Sequence, residues 1–164
     1  GDTWEACGWK YNAGSSAKWE VTGGGTPCNG TYYVDGTARV SSSPGSTSTP
    51  WKTTIIATGD VIVSGNPTIK ADAAYTVHDT LFVAGLDVSI SGTASNEYTG
   101  LIAAHEQFEL TGTPTINGFI IGEDKGTTSS TVTSNKVSGN PTINYNCGLN
   151  PPLLSPLQIL SWGL

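Results

Sequence analysis

Hydrophobic and polar positions alternate along three segments that align without gaps on Gly65, Gly92 and Gly112. The apolar residues fall into four columns: Ile55, Phe82 and Ile102; Ala57, Ala84 and Ala104; Val61, Val88 and Phe108; and Val63, Ile90 and Leu110. Between the last two columns lie Ile62, Ser89 and Glu109, so one face of each segment is apolar and the other is mostly polar. This period of two predicts β-strands with one buried face.

A short motif follows the strand pattern and repeats along the chain. Residues 63–69 read V-S-G-N-P-T-I, residues 110–116 read L-T-G-T-P-T-I, and residues 137–143 repeat the first copy unchanged, while residues 90–96 are a diverged copy. The motif glycines at positions 65, 92, 112 and 139 are 27, 20 and 27 residues apart. A β-type repeat near 20 residues is typical of a solenoid in which each copy stacks on the previous one.

The fold predicted from these patterns is all-β, a single-domain parallel β-helix. The spacing of 20 residues corresponds to one plain coil, and each spacing of 27 residues corresponds to a coil plus a loop of about seven residues. The helix is expected to be right-handed, because parallel strands are joined by right-handed crossovers. The fourth coil is expected to begin at Phe119 and to resume at Lys136 after an interruption.

The first 30 residues carry no copy of the repeat and hold Trp4, Trp9, Trp19, Cys7 and Cys28. An uncovered first coil would offer its strand edges to other chains. We therefore predict an N-terminal cap over residues 1–30, β-helix coils over residues 31–150 and an apolar tail over residues 151–164. Residues 32–40 are predicted to be the first strand pair of the coils, and residues 41–50 a protruding loop.

Three cysteines allow one disulfide and one remaining thiol. We predict a Cys7–Cys28 disulfide that closes the cap and contributes about 3 kcal/mol by loop closure. A Cys28–Cys147 bridge would require the cap to fold along the side of the coils. Otherwise Cys147 is either buried or paired with another chain.

The tail either covers the last coil or docks into a neighbouring subunit, since a large apolar surface is rarely left exposed. The residues predicted for assembly are Cys147, Leu153, Leu154, Leu157, Ile159, Leu160 and Trp162.

Charge and composition narrow the function classes. Only 12% of the residues are charged, Met is absent, and Ser, Thr and Gly are abundant, which is typical of an extracellular β-protein. The net charge of −6 argues against nucleic acid as a partner. No apolar run reaches the 18 residues that a membrane span needs. We predict a mature secreted bacterial protein located outside the cell or at the cell surface.

One corner of the predicted helix could carry chemistry. The alignment places His105 beside Glu123 and Glu106 beside Asp124 on adjacent coils, and this set could bind calcium or another divalent cation. The alternative is a solvated corner in which His105 pairs with the acids. Two carboxylates on adjacent coils could also act as acid and base on a glycosidic bond. No catalytic set is assigned, no cofactor other than the cation is predicted, and the chain is predicted not to be an enzyme.

A second charged column contains Asp60, Asp87, Gln107 and Lys125. Because its charge changes sign along the stack, we interpret it as a surface edge.

Residues 100–118, the S-G-N-P-T-I repeats and the ending at residues 159–162 together carry a family resemblance. Over roughly residues 31–164 the chain resembles the C-terminal β-helix domain of PilX-like proteins, pilus-assembly-associated proteins of bacterial envelopes. The resemblance implies a secreted or surface-displayed structural module without catalytic residues.

The predicted function is a non-catalytic structural or adhesive module, assembled into or displayed on a pilus or surface filament. Its expected partners are further copies of itself or pilus and envelope proteins. The alternative is a carbohydrate-binding or polysaccharide-processing β-helix, with Trp51, Tyr75 and Tyr98 lining a groove for glycans. Ice binding by a threonine column ranks last, because Ser95 interrupts that column of Thr68, Thr115 and Thr142.

Overall fold

The computed structural model describes residues 3–14, 19–75, 77–93, 97–125 and 132–149. Within them the chain forms fifteen β-strands and no helix, which confirms an all-β protein. In chain order the strands are β1 (Thr3–Ala6), β2 (Trp9–Asn12), β3 (Trp19–Val21), β4 (Gly30–Val34), β5 (Ala38–Val40), β6 (Trp51–Ala57), β7 (Val61–Val63), β8 (Thr68–Lys70), β9 (Thr80–Ala84), β10 (Val88–Gly92), β11 (Glu97–Ala104), β12 (Phe108–Gly112), β13 (Thr115–Gly122), β14 (Lys136–Val137) and β15 (Thr142–Asn144).

The strands form two sheets between which the chain alternates. Sheet A has the order β1-β2-β3-β5-β7-β10-β12-β14. Sheet B has the order β15-β13-β11-β8-β6-β4, with β9 pairing both β11 and β6. From β3 onward the strand pairs of both sheets are parallel, whereas β1, β2 and β3 pair antiparallel. We call a sheet B strand together with the next sheet A strand in the chain a rung.

The observed register confirms all four predicted apolar columns. Phe82 pairs with Ile55 and Ile102, and Ala84 pairs with Ala57 and Ala104. In sheet A, Val88 pairs with Val61 and Phe108, and Ile90 pairs with Val63 and Leu110. The columns predicted from period-two alternation are therefore rows of directly paired residues on neighbouring strands.

The core lies between the two sheets. The column Val40, Val63, Ile90, Leu110 and the column Trp51, Ile69, Tyr98, Ile116 are each at most 1% exposed, and both belong to one hydrophobic cluster. Burying one such aliphatic side chain contributes about 1.5–3 kcal/mol. Repetition of this contribution from rung to rung holds the sheets together.

Insertions account for the longer repeat spacings. Residues 71–79 separate β8 from β9, and both of these strands pair with the single strand β11. The second insertion lies between the end of β13 and the start of β14. A smaller offset comes after Gly92: Glu97, not Ser95, pairs with Thr68 and Thr115, so the predicted position of Ser95 in the threonine column is wrong.

Two kinds of constraint require glycine at the motif corners. Gly112 and Gly139 adopt φ angles of 86° and 83°, a left-handed conformation that favours glycine. At Gly65 the constraint is space, because a Cβ there would collide with the carbonyl oxygen of Ser42 on the preceding rung. The repeated Ser/Thr-Gly step therefore marks places where successive rungs approach closely.

The predicted first strand pair and the loop after it are also present. Strand β4 begins at Gly30, two residues before the predicted start, and β5 ends at Val40 as predicted. The segment 41–50 forms no strand. The base of this segment packs against the next rung, where the Thr68 N–H donates to the Pro44 carbonyl at 3.0 Å.

The N-terminal strands extend sheet A and close one end of the core. The predicted disulfide between Cys7 and Cys28 is confirmed, with the two Cα atoms 5.1 Å apart. Trp9 on β2 is 3% exposed, and its ring centroid lies 5.3 Å from that of Tyr32 and 6.1 Å from that of Trp51. The rings of these three residues cover the core at its N-terminal end.

Candidate functional site

The two ends of the sheet stack differ in how far the last residues of the inward columns are buried. At the N-terminal end Val21 of β3 continues the Val40 column and is 1% exposed. At the C-terminal end Val137 pairs with Leu110 and Ile143 pairs with Ile116, so these residues continue the same two inward columns. They are nevertheless 51% and 47% exposed. In the described part of the chain the core is thus covered at one end and open at the other.

The open end also presents unpaired backbone. In the described chain β14 pairs only with β12, and β15 pairs only with β13. Tyr145 comes directly after β15, is 72% exposed and contacts Phe119 edge-on with ring centroids 4.9 Å apart. Apolar side chains beside free strand edges are the features by which sheets recruit another chain.

The residues predicted for assembly only partly overlap with this end. Cys147 is a free and exposed cysteine close to β15, so the alternatives of a buried Cys147 and of a Cys28–Cys147 bridge are wrong. Leu153, Leu154, Leu157, Ile159, Leu160 and Trp162 lie outside the described residues. Sequence reasoning missed Val137, Ile143 and Tyr145 as surface residues. The available signal was that Val137 and Ile143 belong to the last copy of the repeat in the chain.

The acidic corner forms between adjacent rungs as the alignment predicted. Ala104 pairs with Gly122, which places His105 and Glu106 beside Glu123 and Asp124. The Asp124 N–H donates to the Glu106 carbonyl at 2.7 Å. His105 Nε2 lies 3.5 Å from Glu123 Oε2, and both side chains are about half exposed.

The four side chains at this corner face different surroundings. Glu106 is 3% exposed, whereas His105, Glu123 and Asp124 are in contact with solvent. Within the described residues no three or more His, Cys, Asp or Glu side chains are grouped so that they could hold a metal ion. The cation at His105, Glu106, Glu123 and Asp124 remains a prediction, and the side-chain contacts observed there include that between His105 and Glu123 and the hydrogen bond from Gln107 Nε2 to Asp124 Oδ1.

The second charged column is buried over its first three residues, so its interpretation as a surface edge is wrong for these and holds only for the exposed Lys125. Asp60, Asp87 and Gln107 are 7%, 0% and 1% exposed. The Asp87 N–H donates to Asp60 Oδ1 at 3.1 Å, and the Gln107 N–H donates to Asp87 Oδ1 at 3.0 Å. The other oxygen, Asp87 Oδ2, accepts from the Val132 N–H at 2.8 Å.

These hydrogen bonds explain why carboxylates lie inside the stack. Asp60 and Asp87 each lie directly before a sheet A strand, and each carboxylate accepts from the backbone of the next rung at a corner. Buried polar groups need such partners, and hydrogen bonds to a charged acceptor are the stronger kind. The column is therefore structural. The signal that could have identified it was its constant position directly before Val61, Val88 and Phe108.

The glycan-binding groove predicted from Trp51, Tyr75 and Tyr98 is not formed. Trp51 and Tyr98 are fully buried in the core, so their assignment to a groove is wrong. Tyr75 is exposed on the 71–79 loop, and the Lys52 ammonium lies 5.5 Å from the centroid of its ring. A cleft of about 250 Å³ on the outer face of sheet B lies among Thr68, Lys70, Glu97 and Thr99.

An ion pair holds the 71–79 loop against that face. Lys52 Nζ lies 2.8 Å from Asp72 Oδ2, and Thr31 Oγ1 donates to the Tyr75 carbonyl at 3.3 Å. The hydrogen bond from Lys52 holds the pKa of Asp72 below its usual value, and the Ala74 N–H adds to this effect. The same contact with Asp72 raises the pKa of Lys52.

No helix long and apolar enough to cross a membrane occurs among the residues that the structure describes. Comparisons with models of protein families, with curated proteins and with solved structures each found no match.

Proposed function

We propose that this chain is a non-catalytic structural module of an extracellular or cell-surface filament, built as a right-handed parallel β-helix that associates through its ends. The observation that carries the proposal is the open C-terminal end, where Val137 and Ile143 continue buried columns yet stay about half exposed. The resemblance to the β-helix domain of PilX-like proteins supports the same function and suggests that pilus or envelope proteins are further partners.

The β-helix is part of this proposal. Its support is the regular alternation of the chain between two parallel sheets that share one core. A stack with two unlike ends associates head to tail, and a head-to-tail contact that does not close into a ring produces a filament. The disulfide supports an oxidising location outside the cytoplasm.

Negative-stain electron microscopy and sedimentation velocity of the purified protein test the proposal, with and without calcium and reductant. We expect filaments or short linear oligomers that grow with protein concentration. The variant Val137→Lys with Ile143→Lys should remain monomeric, because two charges replace the apolar residues of the open end. The control Tyr75→Lys changes an exposed aromatic residue on the 71–79 loop, between the two ends of the stack, and should assemble normally. Monomers under every condition would refute the proposal.

Glycan binding is the second candidate function, favoured by the cleft on sheet B. Lys70 lies at this cleft beside hydroxyl groups of two threonines and the Glu97 carboxylate, which together offer donors and acceptors to a hydroxylated, acidic sugar. A glycan array probed with the native protein and with Lys70→Ala tests this candidate. Binding of acidic glycans that Lys70→Ala removes would support it, and an array without signal would exclude the glycans tested.

A further inference from the structure

The N-terminal end carries a second surface, which we call the aromatic groove. It is a cavity of about 260 Å³ lined by Ala6, Cys7, Trp9, Trp19, Tyr32 and Tyr33, next to Val34. Its walls come from both sheets, since Trp9 and Trp19 lie on β2 and β3 of sheet A whereas Tyr32 and Tyr33 lie on β4 of sheet B. Trp9 and Tyr32 form its floor, and Tyr33 stands at its rim, 76% exposed.

A step between the sheets leaves this groove open. Sheet A continues beyond β5 with β3, β2 and β1, whereas sheet B ends at β4. In the described chain β4 therefore pairs with β6 alone, and its other edge is free. The groove and the free edge lie side by side, which suits an extended peptide that would add main-chain hydrogen bonds to β4 and place side chains among the rings.

The chain itself contains a segment with the matching chemistry. Residues 150–164 read N-P-P-L-L-S-P-L-Q-I-L-S-W-G-L and contain three prolines, seven large apolar residues and no charged residue. Proline-rich segments prefer extended conformations that cost little entropy to order, and they dock into grooves lined by aromatic residues. The first part of this segment, Pro151 to Leu157, contains both prolines and large apolar side chains.

The position of this segment in the chain indicates whether it would bind the groove of its own copy or that of another copy. It comes after Leu149 and β15, at the opposite end of sheet B from β4. Six strands at about 4.8 Å spacing place these ends about 24 Å apart. To reach its own groove the segment would have to run along the outer face of sheet B, where Thr99, Asn117 and Asn144 are polar. In a head-to-tail pair it would leave one copy directly toward the groove of the next.

We propose that the aromatic groove binds residues 151–162 of a second copy of this chain. This inference rests on the proposed end-to-end association and specifies the receiving surface at the N-terminal end. It assigns Tyr33 the role of an interface anchor, which accounts for an aromatic side chain that the fold of the single chain leaves three-quarters exposed.

Photo-crosslinking of the full chain tests the proposal. Tyr33 is replaced by p-benzoylphenylalanine, and protein labelled with ¹⁵N is mixed with unlabelled protein before irradiation. We expect a covalent dimer whose crosslinked peptides join position 33 to residues 150–164, with both isotopes in one product. The control carries p-benzoylphenylalanine at Tyr75 on the flank. Links within one chain, links to another segment, or no more dimer than in the control would each overturn the proposal.

A second variant tests the role of the groove separately from the proposed end-to-end association. Tyr33→Ser should weaken association at least about tenfold in sedimentation equilibrium, as expected for an aromatic anchor, without changing the melting temperature. A change below about twofold would overturn the role of Tyr33. If the native protein forms linear oligomers without the link from position 33 to the tail, the groove assignment fails and the proposed function stands. If it remains monomeric throughout, both fail.

Discussion

The two ends of this molecule use the same inward columns and treat them in opposite ways. At the N-terminal end a hairpin, a disulfide and the Trp9 ring cover the core, and Val21 is almost completely buried. At the C-terminal end Val137 and Ile143 occupy equivalent positions and are about half exposed. Because the rungs are alike, the difference in burial arises from the elements that flank the first and the last rung.

The difference shows how a repetitive chain acquires direction. Identical rungs have no preferred first or last member, and each needs a neighbour on both sides to bury its apolar columns. The antiparallel strands β1 and β2 interrupt the parallel repeat and define a first rung. In the described chain no comparable element comes after β15, so the C-terminal end is the one at which the described core stays uncovered.

The strongest test of this comparison removes the ring that covers the closed end. Trp9→Ala should lower the free energy of unfolding by about 4 kcal/mol, because it opens a cavity against Tyr32 and Trp51. Val137→Ala, at the open end, should cost less than about 1 kcal/mol, since the side chain is already half in solvent. Urea unfolding measures both. Equal losses would mean that the two ends are energetically alike.

The disulfide offers a second way to separate the ends. Replacing Cys7 and Cys28 together by Ser should cost about 3 kcal/mol, because the 21-residue loop becomes free in the unfolded chain. Cys147→Ser serves as the matched control and should leave the stability unchanged. Thermal unfolding with and without reductant checks this, and a native protein that is insensitive to reductant would contradict it.

The buried column tests whether the middle of the stack is independent of both ends. Asp87→Asn keeps one acceptor oxygen but turns an amide group toward a backbone N–H, so one charge-assisted hydrogen bond is lost. We expect a loss of about 2 kcal/mol and faster hydrogen exchange at Gln107 and Val132. Asp35→Asn, an exposed counterpart bonded to Thr58 Oγ1, should change little. Unaltered exchange at both amides would show that the column does not join the rungs.

The smallest expected effect is the contribution of the Lys52–Asp72 ion pair to stability, which depends on pH. The pKa of Asp72 is lowered in the folded protein, so the stability it contributes is present above the unfolded pKa near 4 and is lost as the pH falls through the folded pKa. The pKa of Lys52 is raised, so the contribution persists up to about pH 10.

The difference in melting temperature between the native protein and Asp72→Asn should therefore be constant from about pH 5 to pH 9 and disappear in acid. High salt should reduce it, because the ion pair is exposed. A difference that grows as the pH falls would contradict the assignment.

Most of the fold could be predicted because strand periodicity and glycine spacing are local signals. The pairs Phe82–Ile102 and Ile90–Leu110 follow directly from the gapless alignment. The alignment failed at Ser95, because two additional residues after Gly92 shift the register so that Glu97 takes the place beside Thr68. An offset so short leaves no periodic trace in a single sequence.

The candidate sites were harder to predict, because burial at a corner depends on where backbone groups point. A column of Asp60 and Asp87 has the composition of a surface, yet these side chains satisfy N–H groups inside the stack. The residue types of Val137 and Ile143 match those of buried rungs, so only their place in the last copy of the repeat indicated that they could be exposed. In both cases three-dimensional neighbours, not residue types, decide whether a side chain is buried.

The 71–79 insertion interrupts sheet B without changing the pairing of the strands on either side of it. Two short strands, β8 before the insertion and β9 after it, together fill the place of one strand between β6 and β11. Strands β6 and β11 therefore keep the same register relative to each other before and after the insertion. The length of the insertion is thus decoupled from the register of the stack, although Asp72 still forms an ion pair with Lys52. A protein engineer could therefore graft a peptide epitope into this segment without changing the register of the neighbouring strands, and in the proposed filament the epitope would recur once per copy.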